Sequence, residues 1–579
     1  MYSAEKSFKK RDCFEIVDGE VQKLVEQGFV IKVPHENVNH SQPEWYMPLQ
    51  AVFTPEKSTK VRLVFDSSSK GHDGLSLNDH LEKGPNYINS LPNVLTAWRW
   101  DEYAYSGDIR KMFNQVLVHP DDQVFHRFLW RKNQHDLPTV YQWLRLNFGD
   151  KPAPDIASNA IKILAKASQV EFPEVAKELE ERTYVDDIGG SRPFIEEVKH
   201  VTSTIDKVLA KGQFQIKAWH SNSPEVDQTS GEERFTVLLG HRWDKHEDTF
   251  CLKKDSVVRV NEDFTKRSCL ALLAQVWDPI GLVAPVTLKF RIDLQELWSA
   301  GYGWDDVLPE EAQQKWKGNE EAINQLLTFK FDRKLKPSGA IGSPQVHGFA
   351  DGGELGYGAG IFLRWKLHDE SYQCIPVIVK PFVAPLKQKT IPRLELLGCL
   401  ALTRIYNTCQ EALSFVNFKD FDKTFWTDSR TVLSWIKAPP REFRPFVSVR
   451  VAEIQETVGS EQFRYIKSKY NPADALTRGI APGDLESWMS GPPFLKLPET
   501  EWPQFHDDQS PYKEREDALK EKKTTPKQVD KGEDNTRDVH ATSVSEGKEG
   551  NSILSHRSIG KMLNVHKGTQ SPGLPTSFF

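Results

Sequence analysis

The sequence predicts a multidomain α+β protein. Short runs rich in β-branched residues, such as 61–65 and 235–239, alternate with amphipathic helical segments such as 201–209. This mixture favours an α+β or α/β architecture over a helical bundle. A Pro/Gly-rich stretch at 337–344 indicates a domain boundary. Beyond residue 504 the chain is charged and polar with almost no large apolar side chains, which predicts a disordered tail.

Length and composition narrow the class of protein. The chain has 579 residues, too many for one ordinary domain. Its 75 Lys and Arg against 81 Asp and Glu give a net charge of −6, which excludes a histone-like polycation but allows a local basic groove for nucleic acid. The six cysteines form no CxxC pair, which argues against a zinc ribbon. The sequence has neither a long apolar run nor a secretory signal, so we expect no membrane span.

Individual elements follow from local patterns. The charged N-terminal residues resemble the middle of a helix in a longer chain, Gly240 stops the strand 235–239, and a Pro-Gly break divides 266–300 into two helices. β-branched and aromatic runs predict the strands, and 3.6-residue periodicity predicts the helices. The remaining predicted strands are 115–118, 346–351, 360–365, 372–383 and 423–428, and the remaining predicted helices are 393–402, 429–436 and a short one that begins at 471–474.

A first group of acids lies in the N-terminal half. Asp186 and Asp187 are adjacent within 183–190, where flanking apolar residues and following glycines predict the tip of a hairpin. An ordinary polar turn is the alternative, but adjacent carboxylates repel each other and favour a bound cation. Asp108, predicted to lie shortly before the strand 116–118, supplies a third carboxylate. Three such groups can hold two Mg²⁺ ions, which suit the transfer of a nucleotide to a 3′-hydroxyl.

A second group of acids follows residue 340. Its members stand near the ends of predicted elements in the order β-β-β-α-β-α, and they are Asp351, Glu395, Asp428 and Asp474. Four carboxylates from four elements fit a two-metal nuclease site. Scattered surface acids are the alternative, and Asp474 can also serve only as a helix cap.

The motifs around these acids resemble the reverse transcriptase and ribonuclease H of the Bel/Pao family of LTR retrotransposons. The polymerase-like motifs are KVRLVFDSSS (60–69), SLNDHLEKGPNYINSL (76–91), SGDIRKMF (106–113), YVDD (184–187) and IKAWHSNSPEV (216–226), followed by a family-like segment at 276–298. FADGG, IPRLEL, WTDSRTVLSWI and NPADALTRG resemble the ribonuclease H of that family. Each motif alone is weak, and the combination is specific.

The resemblance implies a right-hand polymerase with fingers, palm and thumb, followed by an α/β RNase H-like domain and a disordered tail. The expected boundaries are 1–255 for fingers and palm, 256–336 for a thumb- or connection-like helical region, 337–490 for the RNase H-like domain, and 491–579 for the linker and tail. We find no Asp-Thr/Ser-Gly protease motif and no HHCC integrase pattern. We therefore expect an internal segment of a retrotransposon Pol polyprotein.

The implied function is an RNA-directed DNA polymerase with ribonuclease H activity, both working by two-metal phosphoryl transfer with Mg²⁺, or with Mn²⁺ in its place. The implied partners are an RNA template, a DNA primer, the RNA–DNA hybrid and dNTPs; a dimer is compatible with the family. The implied location is cytoplasmic, including virus-like particles, without a membrane. The alternative is a catalytically inactive or domesticated fragment that binds nucleic acid.

The resemblance also assigns residue roles. Asp108, Asp186 and Asp187 carry over as one metal-binding set, and the acids of the second group carry over as the other. Arg62 matches the arginine that clamps the triphosphate, and Lys57 and Lys60 compete for the accompanying lysine. Phe113 would lie beneath the sugar and select deoxynucleotides, with a core phenylalanine as the alternative.

Further residues near these motifs are assigned to substrate. Tyr184, Phe148 and Gly149 are expected to contact substrate. Ala153 stands where the family has a serine, so the segment 148–154 departs from the family pattern at this residue. Basic and aromatic residues within 98–113 and 430–450 are candidates for the nucleic-acid track, with an ordinary helix and loop as the alternative for the second stretch.

Overall fold

The computed structural model describes residues 2–53, 61–133, 135–229, 233–252, 260, 263–503 and 519–523. Lys57 and Lys60, expected to contact the nucleotide, lie outside the described residues, as do 504–518 and 524–579 of the predicted tail. In the part of the chain that is described, no helix is long and apolar enough to cross a membrane.

Helices and strands are mixed throughout the described chain, as the sequence predicts. The helices are α1 Tyr2–Lys10, α2 Phe14–Glu26, α3 Leu77–His80, α4 Leu91–Trp98, α5 Met112–Gln115, α6 Ala153–Ser168, α7 Pro173–Glu181, α8 Ile195–Lys211, α9 Lys266–Leu273, α10 Ala284–Ser299, α11 Glu310–Thr328, α12 Ile391–Ala412, α13 Arg430–Lys437, α14 Pro445–Val458, α15 Ala475–Arg478 and α16 Leu485–Met489. The strands are β1 Val30–Val33, β2 Leu49–Phe53, β3 Val61–Phe65, β4 Tyr103–Ile109, β5 Arg127–Trp130, β6 Thr139–Trp143, β7 Thr183–Tyr184, β8 Asp187–Arg192, β9 Ile216–Ser221, β10 Phe235–Leu238, β11 His241–Asp244, β12 Thr249–Leu252, β13 Phe331–Asp332, β14 Ala340–Gly352, β15 Gly356–Leu367, β16 Tyr372–Val383, β17 Lys423–Thr427 and β18 Phe463–Tyr465.

The chain divides into two compact units. The first contains residues 2–87 and 111–160 of the described chain. In it, an antiparallel sheet of order β1-β6-β5 and the hairpin β2-β3 pack with α2 around one apolar cluster. Val17 and Val21 face this cluster because residues four apart lie on one side of a helix. The Trp130 indole is buried in the cluster, and its N–H donates to Asp18 at 2.8 Å.

The second unit contains residues 88–110 and 161–523 of the described chain. Its sheets have the orders β7-β8-β4-β9, β10-β11-β12-β13 and β16-β15-β14-β17-β18. In the last sheet β14 is antiparallel to β15 and parallel to β17. One continuous apolar cluster, from Leu91 on α4 to Leu485, joins all three sheets.

The expected domain borders differ from these units. The expected polymerase domain 1–255 is divided between both units, and the second unit runs through the expected borders at 255/256 and 336/337. The helical region is integral to the five-stranded sheet, because the Val379 N–H of β16 donates to the Ile280 carbonyl at 2.9 Å. A Cβ on Gly281 would lie 1.7 Å from the Val379 carbonyl oxygen, so the turn that precedes α10 approaches β16 at backbone contact.

Two expectations for local structure were wrong. Residues 115–118 are not a strand: Gln115 ends α5, and Leu117 forms only an isolated bridge with Arg145. Leu117, the residue at the centre of the predicted strand, is exposed, so the run buries no apolar face against a sheet. Asp108 accordingly lies within strand β4 and not before a strand.

The expected linker also begins later than residue 491. Residues 493–496 and 499–501 form 3₁₀ turns, and Phe494 and Leu495 are buried against the five-stranded sheet. Apolar side chains in this stretch pack against one face of the sheet. This packing is not evident from the sequence, because the chain that follows residue 504 is polar. Residues 519–523 also pack on this unit, with the Glu521 side chain buried.

Candidate active sites

The first carboxylate cluster consists of Asp108, Asp186 and Asp187. Asp108 on β4 stands directly opposite Asp187 on β8 in the antiparallel register. Asp186 lies in the turn between β7 and β8, and its carbonyl accepts the Ile109 N–H at 2.8 Å. The hairpin predicted from the sequence is therefore present, and strand pairing brings the three acids together.

The turn of this hairpin is strained. Val185 has φ +52, a left-handed conformation that is a clear outlier for a β-branched residue. Strain of this kind costs of order 1–3 kcal/mol and is kept only where the surrounding structure enforces it. The pairing of β8 with β4 supplies that constraint. It also fixes the position of Asp187, which is the first residue of β8, and of Asp186, which directly precedes it.

The charges of the first cluster oppose each other. Burial, and then the charges of Asp186 and Asp108, raise the pKa of Asp187 to about 7. Burial and Asp186 also raise the pKa of Asp108, while Lys217 acts in the opposite direction. Carboxyl groups destabilised by mutual repulsion are stabilised by a cation, and an all-oxygen donor set is the kind that Mg²⁺ prefers. The donor chemistry therefore fits the expected ion.

One contact at this cluster was missed from the sequence. The backbone N–H of Leu239, in the turn after β10, hydrogen-bonds to the Asp187 carboxylate. Trp277 fixes the same turn, because its indole N–H donates to the Leu239 carbonyl at 2.9 Å and its ring covers Gly240, where a Cβ would lie 2.5 Å from the indole nitrogen. The only sequence signal was the glycine that ends this strand, since the contact joins distant segments.

Most of the residues expected to contact the nucleotide belong to the first unit. Arg62 is an exposed residue of β3, paired with Val52 of β2. Phe113, which is half-buried, contacts Phe148 with ring centroids 5.1 Å apart and ring planes tilted by 51°, and Phe148 is 49% exposed. Tyr184 ends β7 in the second unit, two residues before Asp186.

The loop that carries Phe148 and Gly149 is tied down by Asn78. The Asn78 amide donates to the Gly149 carbonyl at 2.9 Å and accepts the Lys151 N–H at 2.7 Å. Gly149 has φ +100, a conformation that other residues rarely adopt. This clamp gives Asn78 a role that its sequence did not indicate.

Asp150 anchors the same loop from inside. Its carboxylate accepts the Ser67 hydroxyl at 2.5 Å and lies 3.1 Å from His126 Nε2, with all three residues buried. Burial opposes the charged imidazole, but the Asp150 carboxylate outweighs it, so the pKa of His126 is raised above its usual value. Buried polar groups satisfied in this way hold a loop in one conformation.

The second carboxylate cluster consists of Asp351, Glu395, Asp428 and Asp474. Asp351 lies near the end of β14, and Asp428 directly follows β17. Because these strands are parallel, with Ala350 opposite Thr427, both acids emerge at the same edge of the sheet. Glu395 is the fifth residue of α12, just after its first turn, and Asp474 ends a short 3₁₀ turn before α15.

Glycines bring α12 close to β14. A Cβ on Gly352 would lie 2.3 Å from the Glu395 backbone nitrogen, and a Cβ on Gly398 would lie 2.5 Å from the Asp351 carbonyl oxygen. Both contacts are with backbone atoms, so neither can be relieved by turning a side chain. The two glycines therefore set the separation between Asp351 and Glu395.

Hydrogen bonds orient the acids of the second cluster. The Gly352 N–H donates to Asp351 Oδ1 at 2.7 Å, and the Ser429 hydroxyl donates to Glu395 Oε2 at 2.5 Å. Asp474 makes no capping hydrogen bond; Asn471 caps the turn in its place by accepting the Ala473 N–H. This removes the helix-cap alternative for Asp474.

The second cluster has the same electrostatic signature as the first. Burial, and then the charges of Asp428, Asp474 and Glu395, raise the pKa of Asp351 to about 7. Asp428 Oδ1 is buried and has no hydrogen-bond partner, an orphaned acceptor that a cation would satisfy. Among the described residues, no group of three or more His, Cys, Asp or Glu side chains is arranged so that it could hold a metal ion by itself. Mg²⁺ sites commonly use few carboxylates together with water and substrate phosphates.

Comparison with known proteins gives one family match. Residues 265–429 match the family described as Pao retrotransposon-like RNaseH-like domain. No curated protein matches the chain. The matched range begins just before α9 and ends just after Asp428, so it joins the helical region to the first four strands of the five-stranded sheet.

Three solved structures of a foamy viral protease-reverse transcriptase are also similar. The complex with RNA/DNA hybrid is 16% identical, covers 81% of this chain and 55% of that chain, and has a TM-score of 0.49. The dRH form with ds DNA is 15% identical, covers 77% and 68%, and has a TM-score of 0.46. The complex with dsDNA is 16% identical, covers 78% and 82%, and has a TM-score of 0.45.

This chain thus spans about half the length of the first of these proteins. The family match is the firmer finding, because it covers Asp351, Glu395 and Asp428 together with the elements that carry them. It confirms the resemblance seen in the sequence for this part of the molecule, where residues 265–429 are similar to the Pao retrotransposon-like RNaseH-like domain.

Proposed function

We propose that the chain is an RNA-directed DNA polymerase joined to a ribonuclease H. The first carboxylate cluster would serve nucleotide transfer, and the second would serve cleavage of the RNA strand in an RNA–DNA hybrid. The Pao family match over residues 265–429 supports the nuclease half. The polymerase half is supported by the strand register that places Asp108 opposite Asp187 beside the Asp186 turn.

The observation that carries this proposal is the paired electrostatics of the clusters. Each gathers acids from separate elements at a sheet edge, and in each the pKa of one buried carboxyl, Asp187 or Asp351, is raised to about 7 by burial and by its neighbours. Each arrangement lowers the stability of the fold, because it buries carboxylates that repel each other. Carboxyl groups with pKa values perturbed in this way cluster at functional sites, so the two clusters indicate function. Cation-assisted phosphoryl transfer is the use that an all-carboxylate set fits best.

Mg²⁺ would be held by Asp108, Asp186 and Asp187 in one cluster and by the four acids of the other. Bound there, it supplies charge neutralisation on the phosphates and activation of the attacking hydroxyl. The protein's own hydrogen-bond donors hold the carboxylates of the two clusters in position. The Leu239 N–H holds the Asp187 carboxylate, and the Ser429 hydroxyl holds that of Glu395. Because ligands bind cations in deprotonated form, binding would release protons from Asp187 and Asp351 near neutral pH.

The substrates proposed for this chain are a DNA primer on an RNA template and dNTPs. The exposed Arg62 guanidinium has the forked geometry that matches a triphosphate. The Phe113–Phe148 pair offers an exposed aromatic surface for a sugar or base, next to Gly149, which lacks a side chain. Asn78 and Asp150 would hold this surface in place.

A single reaction tests both halves. A DNA primer with one fluorophore is annealed to an RNA template with another, and extension and RNA cleavage are read from the same samples with dNTPs and Mg²⁺. We expect Asp186→Asn to abolish extension and to spare cleavage, and Asp428→Asn to do the reverse. Extension that survives Asp186→Asn would overturn the polymerase assignment. A wild-type chain that binds the substrate but performs neither reaction would favour the non-catalytic alternative.

A further inference from the structure

A short segment near the C-terminal end of the described chain docks on the RNase H-like half of the second unit. Residues 519–523 run antiparallel to 442–444, with Lys522 bridged to Phe443. The Arg444 N–H donates to the Glu521 carbonyl, and the Lys523 N–H donates to the Glu442 carbonyl, each at 2.8 Å. We call residues 519–523 the strap. It covers part of the 430–450 stretch that the sequence marks as a candidate nucleic-acid track.

The strap is anchored by one carboxylate. Glu521 Oε1 lies 2.7 Å from Arg393 Nε, and the Glu521 side chain is only 9% exposed. Its second oxygen, Oε2, is buried and has no hydrogen-bond partner. Burying a carboxylate with only one of its oxygens hydrogen-bonded costs free energy, because the other oxygen loses its water without gaining a partner. An anion that pairs all its oxygens can therefore replace it.

Arg393 belongs to a basic ring around one aromatic side chain. The cations of Lys389, Arg393 and Arg450 lie 5.5, 4.7 and 3.8 Å from the ring centroid of Phe446. We call these four residues the Phe446 cluster. The Phe446 cluster carries three positive charges, and the strap supplies only one carboxylate, that of Glu521, to balance them.

Arg450 shows that the Phe446 cluster has unused binding capacity. Its Nε is a buried donor without a hydrogen-bond partner. Burial, and then the positive charge of Arg404, lower the pKa of Arg450. A donor left unpaired among like charges favours an anion with more oxygens than the strap provides.

The Phe446 cluster adjoins the second carboxylate cluster in the chain. Arg393 stands in the first turn of α12, two residues before Glu395. Two residues advance a helix by about 3 Å along its axis and turn it by about 200°, so Arg393 lies at the same end of α12 as Glu395 but on another side of the helix. Guanidinium groups against an aromatic face suit the phosphates and sugars of a nucleic-acid backbone.

We propose that the Phe446 cluster is a phosphodiester-binding site for the RNA–DNA hybrid and that Glu521 of the strap occupies it until the hybrid binds. This inference rests on the proposed function, because it takes the hybrid as substrate. The Glu521 carboxylate stands in for a backbone phosphate at Arg393. The hybrid displaces the strap and gains the Arg393 and Arg450 donors, so the strap lowers the affinity for substrate.

The test compares two isosteric changes in the full chain. Both carry Asp428→Asn to prevent cleavage, and binding of a fluorescein-labelled 20-bp RNA–DNA hybrid is measured by anisotropy. We expect Glu521→Gln to tighten binding by about fivefold, the equivalent of one weak ion pair. The matched control Glu501→Gln removes the same charge from an exposed residue of the same C-terminal region, and its affinity should equal that of the parent. Equal affinities for the two variants, or weaker binding in Glu521→Gln, would overturn the proposal.

A second variant identifies the site. Arg393→Gln in the Glu521→Gln background should abolish the gain and reduce the slope of log affinity against log salt by about 0.9, the value for one phosphate contact. An unchanged slope would exclude Arg393 as the contact. Thermal unfolding of each variant shows that the protein is folded.

Amide exchange provides an independent readout. Adding the hybrid to the Asp428→Asn protein should speed the exchange of the Lys523 and Arg444 amides, which the strap protects. Protection that persists at saturating hybrid would contradict displacement. None of these measurements requires turnover, so a chain that binds the hybrid through Arg393 but is inactive refutes the proposed function alone.

Discussion

Replacing Gly352 by alanine should disable RNA cleavage and leave DNA synthesis intact. An added Cβ would lie 2.3 Å from the Glu395 backbone nitrogen and 2.4 Å from the Leu394 carbonyl carbon. Ordinary van der Waals contact begins at 3.4 Å, so the start of α12 must retreat from β14 by about 1 Å. Glu395 would retreat with it from Asp351.

The magnitude follows from this displacement. A misplacement of about 1 Å in a catalytic array costs on the order of 100-fold in rate. Forcing an extra methyl group into a packed site costs about 1–3 kcal/mol of unfolding free energy. We therefore expect cleavage of the RNA strand to fall about 100-fold, with a modest loss of thermal stability.

The adjacent glycine supplies the control. A Cβ on Gly353 meets the Thr477 side chain at 3.4 Å, which is an ordinary contact. Gly353→Ala should therefore cleave at close to the wild-type rate. Both variants are assayed for primer extension and RNA cleavage in one reaction. Wild-type cleavage by Gly352→Ala, or equal losses in both variants, would refute the steric argument.

Three further outcomes are expected. Asp187→Asn should lower dNTP incorporation by at least about 100-fold and leave RNA cleavage unchanged, because it removes a carboxylate of the first cluster only; loss of both activities in the combined assay would contradict this. Asn78→Ala should raise the KM for dNTPs and destabilise the chain by about 1–3 kcal/mol, since two hydrogen bonds to the loop at Gly149 are lost; an unchanged KM in steady-state extension would refute the clamp. The raised pKa of His126 means that its pair with Asp150 stabilises the fold fully below the unfolded value of about 6.5, and that this stability is lost as pH rises through the folded pKa. Urea unfolding should therefore show a loss of stability over that range in the wild type but not in His126→Gln.

Much of the element order is visible in the sequence. The hairpin around Asp186, the strand that carries Asp351 and the helix that begins before Glu395 follow from residue alternation, glycines and periodicity, and the structure has all three. The strand 372–383 agrees residue for residue. These signals are local, because side-chain period and turn chemistry act within a few residues.

The two failures have different causes, one in neighbouring residues and the other in a partner surface that lies far away in the sequence. The run 115–118 has strand-like residues, but Gln115 already ends α5 and Leu117 is exposed, so a propensity was overridden by its neighbours. The stretch 491–503 was assigned to a linker, yet Phe494 and Leu495 are buried against the five-stranded sheet. A few apolar residues decide burial when a partner surface exists, and a single sequence does not show that surface.

The sequence by itself determined which acids stand at element ends and, through resemblance to a family, how they divide into two groups. Only the tertiary structure decided what surrounds them: the register that sets Asp108 against Asp187, the Leu239 N–H on Asp187, and the docking of Glu521 on Arg393. Such contacts join residues far apart in the chain, and their free energy comes from packing and charge between separate elements. No local pattern encodes them, so they emerge only when the chain is folded.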